Sequence, residues 1–297
     1  MKVLILSGGS SNEREVSFRS GENVALALTA AGHDVTTIDP TDGKADLGAA
    51  IKAAEAIFPI LHGAGGEDGS IQSTLEVSGK AFLGTGSEVS RLSFNKLRFK
   101  EVMVENGILT PNWQIVDRNS FASSGLTHQP YVLKPIEGGS SIDMFIVHNP
   151  GHQIVNVDAV FERYGKMLLE ELIIGQEVTV AVLGDAALPV ILIIPPDGEE
   201  FDYENKYNGK TSEIVDPESV APVLKQAAQD LAERIHALLP LRHLSRIDMI
   251  ITPDGAIYTL EANTMPGLTR QSLFPKAAAA AGITMPRLVQ KLLDLLQ

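Results

Sequence analysis

Apolar positions recur along this 297-residue chain in short blocks that switch between two rhythms. Val3, Leu4, Ile5 and Leu6 form an unbroken apolar run, the pattern of a strand covered on both faces in a parallel sheet. Ser7, Gly8, Gly9, Ser10 and Ser11 interrupt it, and a helical spacing follows over 15–30, closed by Gly32. Strands at 35–38 and 56–61, with a helix at 49–56 between them, predict a small α/β domain. A Gly/Ser-rich joint at 84–90 marks a boundary. Beyond it a helix over 89–106 carries Lys96, Arg98 and Lys100, and strands are expected at 113–116, 131–134, 145–147 and 166–169. Strands at 177–183 and 188–194 come next, then a polar stretch over 197–217, too polar for core and long enough to be a functional loop. An amphipathic helix over 219–239, a hairpin over 246–263 and two C-terminal helices complete the chain. The expected units are 1–86, 87–177 and 178–297.

The hairpin carries the first chemical signal. Pro253-Asp254-Gly255 is the turn, and Arg246 and Asp248 share one face of the first strand, opposite Ile247, Met249 and Ile251. On the second strand Tyr258, Leu260 and Ala262 are the more apolar set, and Glu261 and Asn263 lie opposite them. Placing both apolar sets on one side, with a two-residue Asp254-Gly255 loop, sets Asp248 across from Glu261 and Arg246 across from Asn263. Directly opposed carboxylates repel. Either a hard divalent cation lies between them, or both are solvated on an exposed face.

Glycine-rich turns give weaker signals. The Ser7–Ser11 turn between strand and helix has the layout of an anion site, and equally that of a turn built for tight packing. Glu13 and Glu15 at the helix entrance suit the helix dipole. The 62–69 loop, HGAGGEDG, ends a strand and holds a histidine and two acids, where ligands bind in doubly wound sheets. Glu137-Gly138-Gly139-Ser140-Ser141 reads as a phosphate lid or as a plain hairpin loop. Lys134 stands at a strand terminus, where an ammonium meets phosphate.

Composition narrows the classes. Hydrophobic residues are 44% and charged residues 21%, as in ordinary globular chains. The net charge of −13, with no block of lysine and arginine, argues against a nucleic-acid surface. Cysteine is absent, which excludes disulfides, thiol catalysis and cysteine-based zinc sites. No signal peptide is visible, and the longest apolar run, 188–194, contains a proline and is too short for a bilayer. A cytoplasmic protein with no membrane partner is expected.

HGAGGEDG at 62–69, KPIEGGSS at 134–141, DYENKY at 202–207, RID at 246–248 and EANTMPG at 261–267, joined by EREVS at 13–17, together resemble the D-alanine–D-alanine ligase family of the ATP-grasp superfamily. The resemblance runs over nearly the whole chain. It implies a three-domain α/β ATP-grasp fold, with a small N-terminal α/β domain and central and C-terminal α+β domains clasping ATP. It also implies a cytoplasmic homodimer making D-alanyl-D-alanine for peptidoglycan. In that chemistry ATP phosphorylates one D-alanine carboxylate and the amine of a second attacks the acyl phosphate, so positioning and charge neutralisation dominate.

The resemblance also implies roles. Asp248, Glu261 and Asn263 would hold two Mg²⁺, or Mn²⁺ in their place. Lys96 and Lys134 would meet ATP phosphates, Glu170 and the Leu172 backbone the adenine, and Glu177 the ribose hydroxyls. Lys206 belongs with the ATP-binding residues, at the border of the second D-alanine, which Ser272 and Leu273 also flank. Glu13, helped by His62, would anchor the first ammonium. Ser140 would close over the transferred phosphate, and Tyr207 would join the Glu13–Ser140 network. Arg246 and the Gly267 N–H would stabilise the tetrahedral oxyanion. The chain departs from the family pattern at Asp143, where glycine is usual, at Glu171, where lysine is common, and at Gly138, where glutamate is common. Rival readings are a ligase with another amino- or hydroxy-acid acceptor, and an inactive nucleotide-binding relative. Tyr207 speaks against a hydroxy acid, since depsipeptide-forming relatives tend to carry phenylalanine there.

Overall fold

The computed structural model describes residues 1–43, 46–149, 157–196 and 211–297. Its first unit is a parallel sheet ordered β2-β1-β3, from β1 (Lys2–Leu6), β2 (Asp34–Ile38) and β3 (Ala56–Pro59). Val3 to Leu6 are buried on both faces, as their uninterrupted apolar run requires. Helices α1 (Arg14–Ala30), α2 (Leu47–Ala53) and α3 (Ser70–Ser78) cover this sheet. The last was not anticipated, because its polar sequence SIQSTLEVS buries only Ile71, Gln72 and Leu75.

The helix expected over 89–106 is two helices, α4 (Ser87–Phe94) and α5 (Lys96–Glu105). Asn95 separates them in an extended conformation, its side chain accepting from the Arg98 N–H at 3.1 Å. Asparagine competes with the helix for backbone partners, so it caps one helix where the apolar period would have run straight through.

A second sheet is antiparallel, ordered β4-β7-β5-β6, from β4 (Trp113–Asp117), β5 (Tyr131–Pro135), β6 (Phe145–Val147) and β7 (Lys166–Glu171). A short α6 (Arg118–Phe121) and α7 (Val157–Tyr164) accompany it and bury Val160 and Phe161 against it. The largest sheet is ordered β11-β10-β8-β12-β13. It comprises β8 (Gln176–Leu183), β10 (Ile191–Ile194), β11 (Ser212–Val215), β12 (Leu244–Ile251) and β13 (Ile257–Asn263), with β9 (Ala186–Ala187) paired to β8. The strand expected over 188–194 is confined to β10, and β11 emerges from the end of the stretch expected to be loop. α8 (Pro222–Leu238) packs on this sheet together with α5, through Phe99, Met103, Ala228 and Ile235.

The C-terminal helices α9 (Leu273–Ala280) and α10 (Met285–Asp294) return to the beginning of the chain. Leu288, Val289 and Leu292 join Val24, Leu28, Phe274 and Leu244 in one core, so the first sheet and the last helices share buried surface.

Candidate active site

The β12–β13 hairpin pairs Asp248 with Glu261 and Arg246 with Asn263, as the pattern predicted, but by another route. The loop has three residues, closed by Thr252 N–H to Ala256 O and Gly255 N–H to Thr252 O, each 2.9 Å. Gly255 takes φ 87°, which its missing Cβ permits. The strand register at the tip is Ile251 against Ile257, and a bulge between Asp248 and Met249 shifts it by one. Strict alternation therefore fails on β13. Thr259 and Ala262 are buried, while Tyr258 and Leu260 are half-exposed, contrary to the apolar set assigned from the pattern.

The two carboxylates each have a cationic neighbour. Arg246 grips Asp248 with both arms, Nε to Oδ1 at 2.8 Å and Nη2 to Oδ2 at 2.7 Å, and Thr179 Oγ1 donates to Asp248 Oδ1 at 2.5 Å. Burial works against the Arg246 charge, but Asp248, then Glu261 and Glu67, hold its pKa above the ordinary value. Lys96 Nζ stands 3.6 Å from Glu261 Oε2 and donates to Gly138 O at 2.5 Å.

These residues lie where two cavities meet. The first, about 380 Å³, is lined by Glu13, His62, Glu67, Arg246, Asn263, Gly267, Ser272 and Leu273. The second, about 660 Å³, is lined by Lys134, Glu170, Leu172, Glu177 and Asp248. Lys96, Ser140 and Glu261 line both. Every site residue expected from the sequence therefore borders one cavity or the other, except Lys206 and Tyr207, which lie outside the described residues.

In the first cavity Glu13 caps α1 by position without a side-chain capping bond. Its carboxylate accepts from Ser140 Oγ at 2.5 Å instead, joining the first turn of α1 to the glycine-serine loop 127 positions away. His62 is buried and neutral. Burial lowers its pKa against the raising influence of Glu13, Nδ1 contacts Met265 O at 3.1 Å and Nε2 contacts Ser20 Oγ at 3.3 Å. Both ring nitrogens thus hold the 265–268 turn against α1. Glu67 accepts from the Gly63 N–H at 2.9 Å, and burial, then the Glu13 charge, push it up to about 8. Burial beside Glu13 thus favours its protonated form. A Cβ on Gly267 would come within 2.7 Å of Ser272 Oγ, so glycine is required for that approach. The Ser7–Ser11 turn joins this site at its end, where Ser11 Oγ donates to His62 O at 2.6 Å and accepts from the Glu13 N–H at 3.2 Å. Gly8 N–H donates to Ser17 Oγ and Gly9 N–H to Asp39 Oδ1, so the turn serves the chain's own carboxylate and the anion-site alternative fails. Burial works to raise Asp39, but hydrogen bonds from Thr41, Gly9 and Arg14 bring it to about 2.

In the second cavity Glu170 is 2% exposed and sits between two lysines, Lys134 Nζ at 2.9 Å and Lys100 Nζ at 3.0 Å. Glu171 also lines this cavity and accepts from the Asn112 N–H at 2.9 Å. Leu172 gives its own N–H to Pro130 O at 3.0 Å.

Among the described residues no three His, Cys, Asp or Glu side chains cluster as a metal site. Asp248 and Glu261, with Asn263 on the same strand, offer two carboxylates and one amide oxygen. That hard, incomplete donor set fits Mg²⁺, which takes one or two carboxylates and completes its shell with water and phosphate. Glu67 and Lys100 are the polar residues that sequence reasoning left without a role. Glu67 stood in a quoted loop. Lys100 could have been found from its place on the buried spacing with Phe99 and Met103.

Residues 102–294 match the family model for the D-Ala-D-Ala ligase C-terminus. The chain is 40% identical over 297 residues to a D-alanine–D-alanine ligase of Nitratidesulfovibrio vulgaris, covering 99% of this chain and 98% of that one. It is 40% identical over 296 residues to the one from Oleidesulfovibrio alaskensis, covering 99% and 96%. The crystal structure of the Bacillus anthracis D-alanine–D-alanine ligase complexed with ATP superimposes with a TM-score of 0.85 at 28% identity, covering 100% of this chain and 97% of that one.

Proposed function

The chain belongs to the D-alanine–D-alanine ligase family, and on that premise we propose that it joins two D-alanine molecules at the expense of ATP, for peptidoglycan synthesis. The fold is the ATP-grasp fold. A carboxylate oxygen of the first D-alanine attacks the γ-phosphorus, giving an acyl phosphate and ADP. The amine of the second attacks the acyl carbon, and phosphate leaves with the C–O electron pair while the amine gives up a proton.

The division of labour follows the two cavities. The larger takes the nucleotide, with Glu170 and the Leu172 backbone at the base, Glu177 at the ribose, and Lys134 and Lys96 at the phosphates. The smaller takes the amino acids. Glu13 holds the first ammonium beside neutral His62, Ser272 and Leu273 border the second D-alanine, and Arg246 with the Gly267 N–H faces the oxyanion. Ser140 closes the loop over the transferred phosphoryl group. Lys206 and Tyr207 complete the set by family resemblance. Asp248, Glu261 and Asn263 would hold two Mg²⁺, or Mn²⁺, which when bound neutralise phosphate charge. The units 1–86, 87–177 and 178–297 are then a substrate lobe and two lobes around ATP, in a cytoplasmic homodimer.

The observation that carries this reading is the meeting of the two cavities at Lys96, Ser140 and Glu261, where a phosphoryl group passes from one to the other. The test is phosphate release from ATP with D-alanine, L-alanine, D-serine and D-lactate, the products identified by mass. D-alanine is expected to give the dipeptide and the fastest release. Release that does not depend on the amino acid offered would sink the reading, and a single-protomer mass in light scattering would sink the dimer.

A further inference from the structure

We propose that Lys100 is a positioning residue of the nucleotide site, holding Glu170 from behind and so setting the preference for a base that carries a 6-amino group. The inference rests on the reading that Glu170 faces the adenine.

Lys100 is fully buried on the inner face of α5 and lines neither cavity. A buried ammonium is costly unless its donors are met. Two of its N–H groups are met by neutral partners, Thr110 Oγ1 at 2.7 Å and Pro111 O at 3.0 Å. The Trp113 ring lies 5.3 Å away. Lys100 is therefore fixed by the 110–113 segment independently of Glu170. Its third direction meets Glu170 Oε1 at 3.0 Å, off the line of a good hydrogen bond, so the contact is chiefly electrostatic. Lys134 holds the other oxygen from the cavity side.

Two cations flank one carboxylate, which when ionised only accepts hydrogen bonds. An adenine amine donates to such a group; a purine without that amine leaves it unmet. Lys134 faces the cavity and is shared with the nucleotide's phosphates on the reading above. Lys100 is then the cationic partner of Glu170 that no phosphate shares.

The charge on Lys100 titrates in reach of experiment. Burial lowers its pKa to about 8, with Lys134 acting in the same direction and Glu170 and Glu171 opposing. The positive charge is present below that pH and lost above it.

The test is calorimetric binding, to the full chain, of ADP and of purine riboside 5′-diphosphate, which lacks the 6-amino group, each with magnesium. The wild type is expected to prefer ADP by roughly tenfold or more near neutral pH. That preference should fall as pH rises past about 8. Lys100→Arg keeps its charge, so its preference should hold across the same range. Lys100→Met should reduce the preference to roughly threefold or less at every pH, raising the KM for ATP with kcat little changed. A lysine that merely supports the fold would lower the unfolding midpoint in Lys100→Met and leave the preference intact, which overturns the inference. If Lys100→Met does not fold, Lys100→Gln takes its place, since it keeps a donor for Thr110 or Pro111 without the charge, and a retained preference there overturns the inference. Glu170→Gln separates this from the underlying reading. An unchanged preference in Glu170→Gln removes Glu170 from the base, whereas a lost preference there with a retained one in Lys100→Met removes only Lys100.

Discussion

Asp143 occupies a glycine position of the family pattern and adopts φ 54°. Its carboxylate accepts from Arg163 Nη1 at 2.5 Å and Tyr164 Oη at 2.7 Å. Ile142 and Met144 line the larger cavity and Asp143 does not, so its charge is directed at α7 instead of the phosphates. Replacing it with glycine loses an exposed, solvent-screened ion pair and relieves left-handed strain, two small effects of opposite sign. Asp143→Gly should leave the denaturation midpoint and the KM for ATP nearly unchanged, and a large loss of turnover with the fold intact would give this carboxylate a part in the reaction. Glu261 differs, since Lys96 and the facing Asp248 place it at the junction of the cavities. Glu261→Gln is expected to cut turnover by about two orders of magnitude or more with an unchanged melting midpoint. Near-normal turnover at limiting Mg²⁺ would remove it from the metal site. Glu67 titrates near 8 when folded against an ordinary 4.5. Between these values the folded state holds a proton the unfolded state has lost, so its contribution to stability is full below the lower value and is lost as pH rises through the upper one. Glu67→Gln should therefore gain on the wild type as pH is raised across that window, measured as melting midpoints. Parallel curves would show that Glu67 ionises normally.

Two elements set the working geometry. One is the hairpin, whose three-residue loop and bulge turn both carboxylates and Arg246 to the cavities while Leu260 breaks the alternation. The other is the glycine-serine loop between β5 and β6, in which Ser140 and Ser141 adopt φ 52° and 56°. Non-glycine residues hold such angles only when their surroundings fix them. Here the fixing contacts are Ser140 to Glu13, Lys96 to Gly138 O, and Asn95 Nδ2 to Glu137 Oε1 at 2.7 Å. Asn95 both caps α5 and ties down the loop. Asn95→Ala should cost about 1 kcal/mol from the lost cap, read from denaturant midpoints. It should also raise the KM for ATP several-fold, and an unchanged KM would show that the loop is held without Asn95.

Across the whole molecule the first sheet and the last two helices share one core. Leu292 is fully buried among Val24, Leu28 and Leu288. Leu292→Ala should cost about 2–5 kcal/mol through lost transfer energy and the cavity left behind. Because the core is shared, hydrogen exchange of β1 amides should rise with that of α10. Protection of β1 that survives the substitution would show two independently stable units. Among the described residues no helix is long and apolar enough to cross a membrane.

The sequence alone determined what depends on local rhythm. The unbroken run at Val3 to Leu6 settled a parallel strand, and residue type with order along the chain settled the family. The pairing of Asp248 with Glu261 was legible too, because burying one face of a hairpin fixes register to within two residues. The bulge that achieves it was not, since an extra residue on one strand leaves no mark in composition. The break at Asn95 stayed hidden because the apolar spacing continues through it, and the cap depends on Glu137 and Arg98 to hold the side chain. Asp143 could be flagged as unusual, but its direction was decided by Arg163 and Tyr164, twenty residues on. Glu67 and Lys100 show the limit most plainly. Glutamate and lysine belong on the surface by type, and only tertiary packing removes water from them and supplies the distant partners that make their burial tolerable.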